Sequence, residues 1–304
     1  MTTDRMELHL KYRPSNFDEL IGNAALKKSL IPAIPRTRTF LFYGPRGCGK
    51  TTIARLIGKE IGVNEIDVNE IDAADNTGVD NARQIKDAAQ YNPLAGKFKI
   101  FIIDECHRLT GNASDSLLKT LEAPPSHCYF VLCTTDFQKV PVTIRSRAKC
   151  YEVKTLDPND QNYLIRYVCH EEGFRISPNV KRAIIESCEG IPREILVAMD
   201  TIRDVENDED AISLVHASVH KEVKDLCQML LQRRKWQEIA PVLKALKDEP
   251  ERIRLAVLGY MNVVLLSANP NNSEIAAFII GEFSDSMIYN GKAGLTYACY
   301  MVVK

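Results

Sequence analysis

Phe40-Leu41-Phe42-Tyr43-Gly44-Pro45-Arg46-Gly47-Cys48-Gly49-Lys50-Thr51-Thr52-Ile53-Ala54-Arg55-Leu56-Ile57 is the stretch whose reading decides the fold. Its first four residues form an apolar and aromatic run of buried-strand character. Ile53, Leu56 and Ile57 recur at helical spacing. Between them Gly44 to Thr51 fits G-x-x-x-x-G-K-[ST], and strand, glycine loop, helix is the setting that this motif requires. Glycines let backbone N–H groups turn inward around a polyphosphate, and the helix N-terminus adds favourable partial charge. Gly44, Pro45, Arg46, Gly47, Cys48, Gly49, Lys50, Thr51 and Thr52 are therefore the candidate nucleotide-binding residues. Lys50 suits the β and γ phosphates of a nucleoside triphosphate, and the Thr51 hydroxyl suits Mg²⁺.

A second signal follows 54 residues after Lys50. Ile100-Phe101-Ile102-Ile103 runs into Asp104-Glu105, a buried parallel strand emptying into two carboxylates at the edge where open α/β sheets bind ligands. Asp104 suits Mg²⁺ held through water, and Glu105 suits orienting or deprotonating an attacking water. Without the loop upstream, a strand ending in solvated acids would be the ordinary reading. Cys128 to Cys133 is another apolar run, closing on Thr134-Thr135-Asp136. A hydroxyl there stands level with Glu105 and suits sensing a γ-phosphate; capping of the strand turn is the plain alternative.

Strand candidates at Phe40–Tyr43, Val68–Asp72, Phe98–Ile103, Cys128–Cys133 and Lys149–Val153 alternate with helical stretches. That pattern gives an α/β P-loop NTPase with a parallel five-stranded sheet covered on both faces. Pro32 and Pro35 close a first helix, Asn76-Thr77-Gly78 turns into another, and 112–121 presents Leu117, Leu118 and Leu121 on one face. Past residue 154 the strand signal ends. Helices are expected over 157–172, 178–188 and 192–205, with Asn207-Asp208-Glu209-Asp210 as a solvated acidic spacer. Further helices are expected over 221–232, 237–247, 251–267, 273–283 and 295–303; their wide apolar faces require partners.

Bulk properties narrow the class. The 304 residues exceed one ordinary domain. Thirty-nine basic residues against 40 acidic ones give no global basic field, although one face of an assembly can still be basic. No apolar run reaches membrane-spanning length, and the first ten residues are too polar for a secretory signal. Nine scattered cysteines without a C-x-x-C pair read as buried thiols in the cytoplasm, with no zinc site expected.

Several separated motifs agree on one family. The chain resembles the AAA+ ATPase subunits of DNA polymerase sliding-clamp loaders, the bacterial gamma/tau type above all, over roughly residues 8–205. Lys11-Tyr12-Arg13-Pro14, with Phe17 and Ile21-Gly22, matches the segment that lies against adenine in that family, which makes Tyr12, Arg13, Pro14 and Ile21 candidate base contacts. Glu70-Ile71-Asp72-Ala73-Ala74 with Arg83, and Cys133-Thr134-Thr135-Asp136-Phe137-Gln138-Lys139-Val140-Pro141, are similar to bacterial signatures. By that match Thr135 takes the sensor-1 position, Ser146-Arg147 the Ser-Arg-Cys motif, and Gly190-x-x-Arg193 the sensor-2 position. Two departures stand out: Ala148 replaces the motif's cysteine, and about ten residues occupy the gap where the bacterial subunits carry a zinc module. The compact length, with no C-terminal tether, resembles the small subunits of phage clamp loaders.

The resemblance implies a AAA+ domain over 1–154, a three-helix lid over 155–208 and an all-α oligomerisation collar over 209–304. It implies ATP and Mg²⁺ but no zinc. Partners would be copies of the chain plus a distinct clamp-loader subunit in a pentameric ring or spiral, a sliding clamp, and primer–template DNA held by its backbone. Glu105, Arg147, Thr135 and Arg193 would carry catalysis, with Arg147 reaching a neighbour's nucleotide and Thr135 and Arg193 reading the γ-phosphate. Leu117, Leu118, Leu121 and Pro124-Pro125 lie where the family inserts a helix into the clamp, although core packing explains the leucines equally well. Arg83 and Arg108 are candidate DNA contacts, and a solvated arginine is the ordinary reading of each. The setting would be the bacterial cytosol, or host cytoplasm for a phage protein. Rivals are another AAA+ machine such as a helicase loader or branch-migration motor, a non-hydrolysing scaffold subunit, and a superfamily-2 helicase reading of Asp104-Glu105-Cys106-His107, which lacks a second RecA-like domain here.

Overall fold

The computed structural model describes residues 6–74, 78–219, 221–246, 250–266, 270–287 and 289–304. The chain divides into two units: an α/β unit of Tyr12–Gln161 with Gly190–Arg193, and a helical unit made of the other described residues. In chain order the first elements are α1 (Leu8–Lys11), α2 (Ala24–Leu30), β1 (Thr39–Tyr43), α3 (Lys50–Glu60), β2 (Val68–Asp72) and α4 (Val79–Gln90). Next come β3 (Lys99–Asp104), α5 (Gly111–Glu122), β4 (Cys128–Thr134), α6 (Val142–Arg145) and β5 (Lys149–Glu152).

The five strands form one parallel sheet in the order β2-β3-β4-β1-β5. Alternation along each strand explains why it is buried from both sides. Phe40, Phe42, Ile100, Ile102, Val131 and Cys133 face Leu30, Ile34, Ile53, Leu56 and Ile57 on one side of the sheet. Leu41, Phe101, Ile103, Phe130 and Leu132 face Ala82, Ile85, Leu117 and Leu121 on the other. Continuous apolar strands are what a sheet with both faces covered requires. β4 is buried at every position, whereas the edge strands β2 and β5 are only partly covered. Each fully buried Leu, Ile or Phe contributes roughly 1.5–3 kcal/mol. The order leaves β4 between β1 and β3, so its end lies between the ends of the strands that carry the glycine loop and the paired carboxylates.

The remaining elements are α7 (Pro158–Glu172), α8 (Pro178–Cys188), α9 (Pro192–Ile202), α10 (Asp208–Val219), α11 (Lys221–Leu231), α12 (Trp236–Ala245), α13 (Pro250–Leu266), α14 (Pro270–Glu282) and α15 (Gly291–Val303). Val223, Leu226, Cys227 and Leu230 on α11, and Leu295, Ala298, Cys299 and Val302 on α15, recur at i, i+3, i+4 and i+7 and share one core with Ile253, Val257 and Phe283.

Several sequence expectations change. The α-helix ends at Leu30, just before Pro32 and Pro35, and a 3-10 helix over Ile31–Arg36 that holds both prolines is an addition to the expected closure. The acidic stretch is not a spacer: Asp208, Glu209 and Asp210 form the first turn of α10, with the Glu209 N–H donating to Asn207 Oδ1 at 2.9 Å. Negative charge favours that position because it opposes the positive end of the helix dipole. Leu117 and Leu121 are core residues with 0% and 1% exposure, and Leu118 packs beside them, so core packing accounts for this face. Asn76, Thr77, Lys247 and Ser267 lie outside the described residues.

Candidate functional site

Backbone geometry builds the loop after β1. Gly44, Gly47 and Gly49 all have positive φ, at 149°, 80° and 94°. A Cβ on Gly44 would meet Val153 O at 2.1 Å, and one on Gly47 would meet Ile191 Cγ2 at 2.8 Å. Only glycine fits both the torsions and the close approach. Lys50 opens α3 and is 6% exposed. Its ammonium folds over the loop, donating to Gly44 O at 2.9 Å and Pro45 O at 2.8 Å. A charge held at the mouth of such a cradle is placed for phosphate oxygens. Arg46 is exposed on the same loop, and Cys48 is buried beneath it.

The Thr51 hydroxyl donates to Asp104 Oδ2 at 2.6 Å, which joins the start of α3 to the end of β3. Two hard oxygen donors converging this closely fit Mg²⁺, which binds through few protein oxygens and keeps its waters. Asp104 Oδ1 accepts the Glu105 N–H at 2.9 Å. Glu105 adopts a left-handed conformation with φ 46°, and a 3-10 turn over Cys106–Arg108 follows it. Strained backbone of this kind concentrates at functional sites. The Glu105 carboxylate accepts from the Thr135 hydroxyl at 2.8 Å and from the Thr135 N–H at 3.2 Å. The sensor-1 candidate thus meets the candidate base directly.

Arg193 belongs to the α/β unit through its own segment. The Leu156 N–H donates to Gly190 O at 2.7 Å, and a Cβ on Gly190 would strike Leu156 O at 2.3 Å. This close packing carries residues 190–193 to the loop, where the Arg193 N–H donates to Gly47 O at 3.4 Å. The side chain itself is exposed. Arg13 shares its surroundings: partial burial, then Arg55, lower its guanidinium from the ordinary value, with Arg193 adding to the effect and Glu70 opposing it. Arg55 and Glu70 form a bidentate ion pair, and hydrogen bonding to Glu70 raises the Arg55 value. Tyr12, Pro14 and Ile21 are half-buried, while Phe17 and Leu20 anchor the segment in the core. Asn23 fixes its far end, exchanging hydrogen bonds with the Lys154 backbone at 2.9 and 3.0 Å.

Arg147 stands apart from this cluster. It donates to Glu122 Oε2 and to Thr143 O, each at 2.9 Å. It precedes Lys149, which pairs with Phe40 near the start of β1, whereas the glycine loop leaves the opposite end of that strand. At about 3.3 Å per residue, the two ends are separated by more than about 10 Å along the strand. Arg83 forms an exposed pair with Asp80, and Arg108 is exposed.

Sequence reasoning met His107 only as the last letter of a helicase-type box and did not anticipate its contact with Glu105, the place of Ile191, or the pairing of Arg55 with Glu70. The turn that returns His107 to Glu105 depends on the left-handed backbone at Glu105, and the other contacts join residues far apart in the chain. Among the described residues no group of three or more His, Cys, Asp or Glu could hold a metal ion, and no helix is long and apolar enough to cross a membrane.

With this geometry in place, comparison with known proteins separates fold from lineage. The family described as DNA polymerase III, delta subunit, matches residues 62–157. The gamma/tau subunit of DNA polymerase III from Mycobacterium tuberculosis is 35% identical over 223 residues, covering 65% of this chain and 39% of its own length. Over that stretch the chain is similar to the gamma/tau subunits. The tau subunit of Escherichia coli K12 is 33% identical over 214 residues, covering 62% of this chain and 33% of its own length. That of Bacillus subtilis is 29% identical over 294 residues, covering 86% and 52%. The chain thus spans from a third to about half the length of these relatives. In structure it is similar to the RuvB Holliday junction branch migration motor of Thermotoga maritima, with TM-score 0.57 and 19% identity over 77% of this chain and 85% of that one. That likeness shows a shared fold and nothing about substrate.

Proposed function

We propose that the chain is an ATPase subunit of a sliding-clamp loader and drives placement of the clamp onto primer–template DNA. One observation carries the catalytic part: Thr51, Asp104, Glu105 and Thr135 are joined by successive short hydrogen bonds beside the glycine cradle. Sequence likeness to the gamma/tau subunits supports the replication role.

In this reading the loop N–H groups and Lys50 bind the phosphates, and residues 12–21 flank the base. Thr51 and Asp104 would hold Mg²⁺, Asp104 through water; when bound, the ion neutralises charge developing on the phosphates. Glu105 orients water, and Thr135 fixes its carboxylate. Arg193 reaches the γ-phosphate from within the same subunit. Arg147 acts on a neighbour's nucleotide, because its position at the far end of the sheet removes it from its own loop. Such an arginine contributes roughly 10³ to 10⁵ in rate, so turnover depends on assembly. We assign residues 1–154 to the ATPase domain, 155–208 to a lid and 209–304 to an oligomerisation collar. Partners are further copies and a companion subunit in a pentameric spiral, the clamp and DNA phosphates, in the cytoplasm.

The test is the ATPase rate of the chain assembled with its companion subunit, with and without clamp and primer–template DNA. Stimulation by both supports clamp loading. An unchanged rate with either addition overturns it.

A further inference from the structure

The turn after β3 places a third side chain on the candidate base. Because Glu105 is left-handed, the chain doubles back through Cys106–Arg108, and the Arg108 N–H closes the turn on Glu105 O at 2.9 Å. This brings the His107 ring over the end of β4, with its Nδ1 2.9 Å from Thr134 Oγ1 and 3.3 Å from Glu105 Oε2. The ring is largely shielded, with 12% side-chain exposure, and Thr134 is fully buried.

Hydrogen-bond accounting around Thr134 favours a donor role for the ring. The threonine hydroxyl has one proton and two lone pairs. Its proton goes to Asp136 O at 3.1 Å, and its oxygen accepts the Asp136 N–H at 3.0 Å. A single lone pair remains toward the imidazole, so Nδ1 meets it as a donor. Nδ1 also lies 3.3 Å from Glu105 Oε2, the oxygen that accepts both Thr135 bonds.

We infer that His107 is a positioning residue: its Nδ1–H, seated on the buried Thr134 hydroxyl, holds the Glu105 carboxylate in the orientation that water activation requires. This rests on the proposed role of Glu105 as base. Thr135 grips the carboxylate from the exposed side and His107 from the shielded side, so loss of either frees it to rotate. Misplacement of a reacting group by about 1 Å can cost roughly 100-fold in rate.

The atom involved makes the inference testable. Asparagine can place an amide N–H near the position of Nδ1, whereas alanine and glutamine cannot. In the assembled complex, His107→Ala and His107→Gln should lower kcat by roughly 10- to 100-fold, leave KM for ATP unchanged, and be largely rescued by His107→Asn. Equal kcat for the Ala and Asn variants, or a loss confined to KM, overturns the positioning role. A second readout needs no turnover. In ¹⁵N-histidine spectra of the wild-type chain, Nδ1 of His107 should be the protonated nitrogen, and Glu105→Gln should shift its resonance. An unprotonated Nδ1, or a resonance indifferent to Glu105→Gln, overturns the contact itself. If the wild-type complex has no ATPase activity, the proposed function fails while the spectra still decide whether His107 holds Glu105.

Discussion

The Thr51 hydroxyl lies 2.6 Å from Asp104 Oδ2, across 53 residues of sequence, and ties the glycine-loop helix to the strand that ends in the paired carboxylates. In the proposed function both oxygens serve the Mg²⁺ of a bound triphosphate. Thr51→Ala and Asp104→Asn each remove one of them. Nucleotide affinity measured in EDTA should barely change, whereas the affinity gained on adding Mg²⁺ should fall about tenfold or more, which corresponds to about 1.4 kcal/mol. An undiminished Mg²⁺ effect in both variants would remove the metal role of this pair.

Gly44 tests the cradle. Its φ of 149° and the 2.1 Å approach of a Cβ to Val153 O leave no room for a side chain, and the obstacle is backbone. Gly44→Ala must displace either the loop or the end of β5. It should lower the thermal midpoint by an amount equivalent to roughly 1–3 kcal/mol and abolish nucleotide binding. Gly62, with φ 74° and open space around it, should lose less stability as Gly62→Ala and keep its nucleotide.

How much of this was legible in the sequence follows from distance along the chain. Gly44 to Thr51 and Asp104-Glu105 were readable because each group is contiguous and its chemistry depends on local backbone. Thr135 could be placed level with Glu105 by counting strands, but the bond between them depends on β4 lying beside β3. Arg193 is brought to the loop by a segment that packs through the Gly190–Leu156 contact, which no periodicity announces. The acidic residues 208–210 misled because charge density marks a solvated linker and a helix N-terminus alike. Leu117 and Leu121 showed an apolar face without showing what covered it.

That ambiguity over Leu117 has a direct test. The side chain is fully buried between α5 and the sheet. Leu117→Ala should cost about 2–5 kcal/mol in urea unfolding, as core truncations do. A cost near zero would return this face to the surface and reopen its role in docking.

Glu251 offers a pH-dependent check on the helical unit. Its carboxylate accepts from Arg254 Nη2 at 2.6 Å and Nε at 3.0 Å, and from the Met287 N–H at 2.6 Å. The Arg254 hydrogen bonds, aided by the Met287 N–H, hold it below its ordinary value of 4.5. A depressed carboxylate stabilises the fold above its unfolded value, and that stability drains away as pH falls through the lower folded one. Glu251→Gln should therefore be less stable than wild type near neutral pH, with the difference shrinking below pH 4.5. A constant difference across an acid titration of urea midpoints would show that the charge plays no part.

Arg147 separates assembly from binding. Among the described residues of its own subunit it holds Glu122 and a backbone carbonyl at the surface, contacts worth about 0–1 kcal/mol. Arg147→Ala should consequently leave the thermal midpoint and the nucleotide affinity of the chain nearly unchanged. In the assembled complex the same substitution should reduce turnover by roughly 10³-fold or more, because the neighbour's nucleotide loses its added positive charge. Mixing wild-type chains with a double variant carrying Arg147→Ala and Lys50→Ala decides the direction of action. Sites that bind nucleotide but face an altered neighbour should fall silent, so activity should drop faster than the wild-type fraction. Activity strictly proportional to that fraction would mean that each subunit works alone.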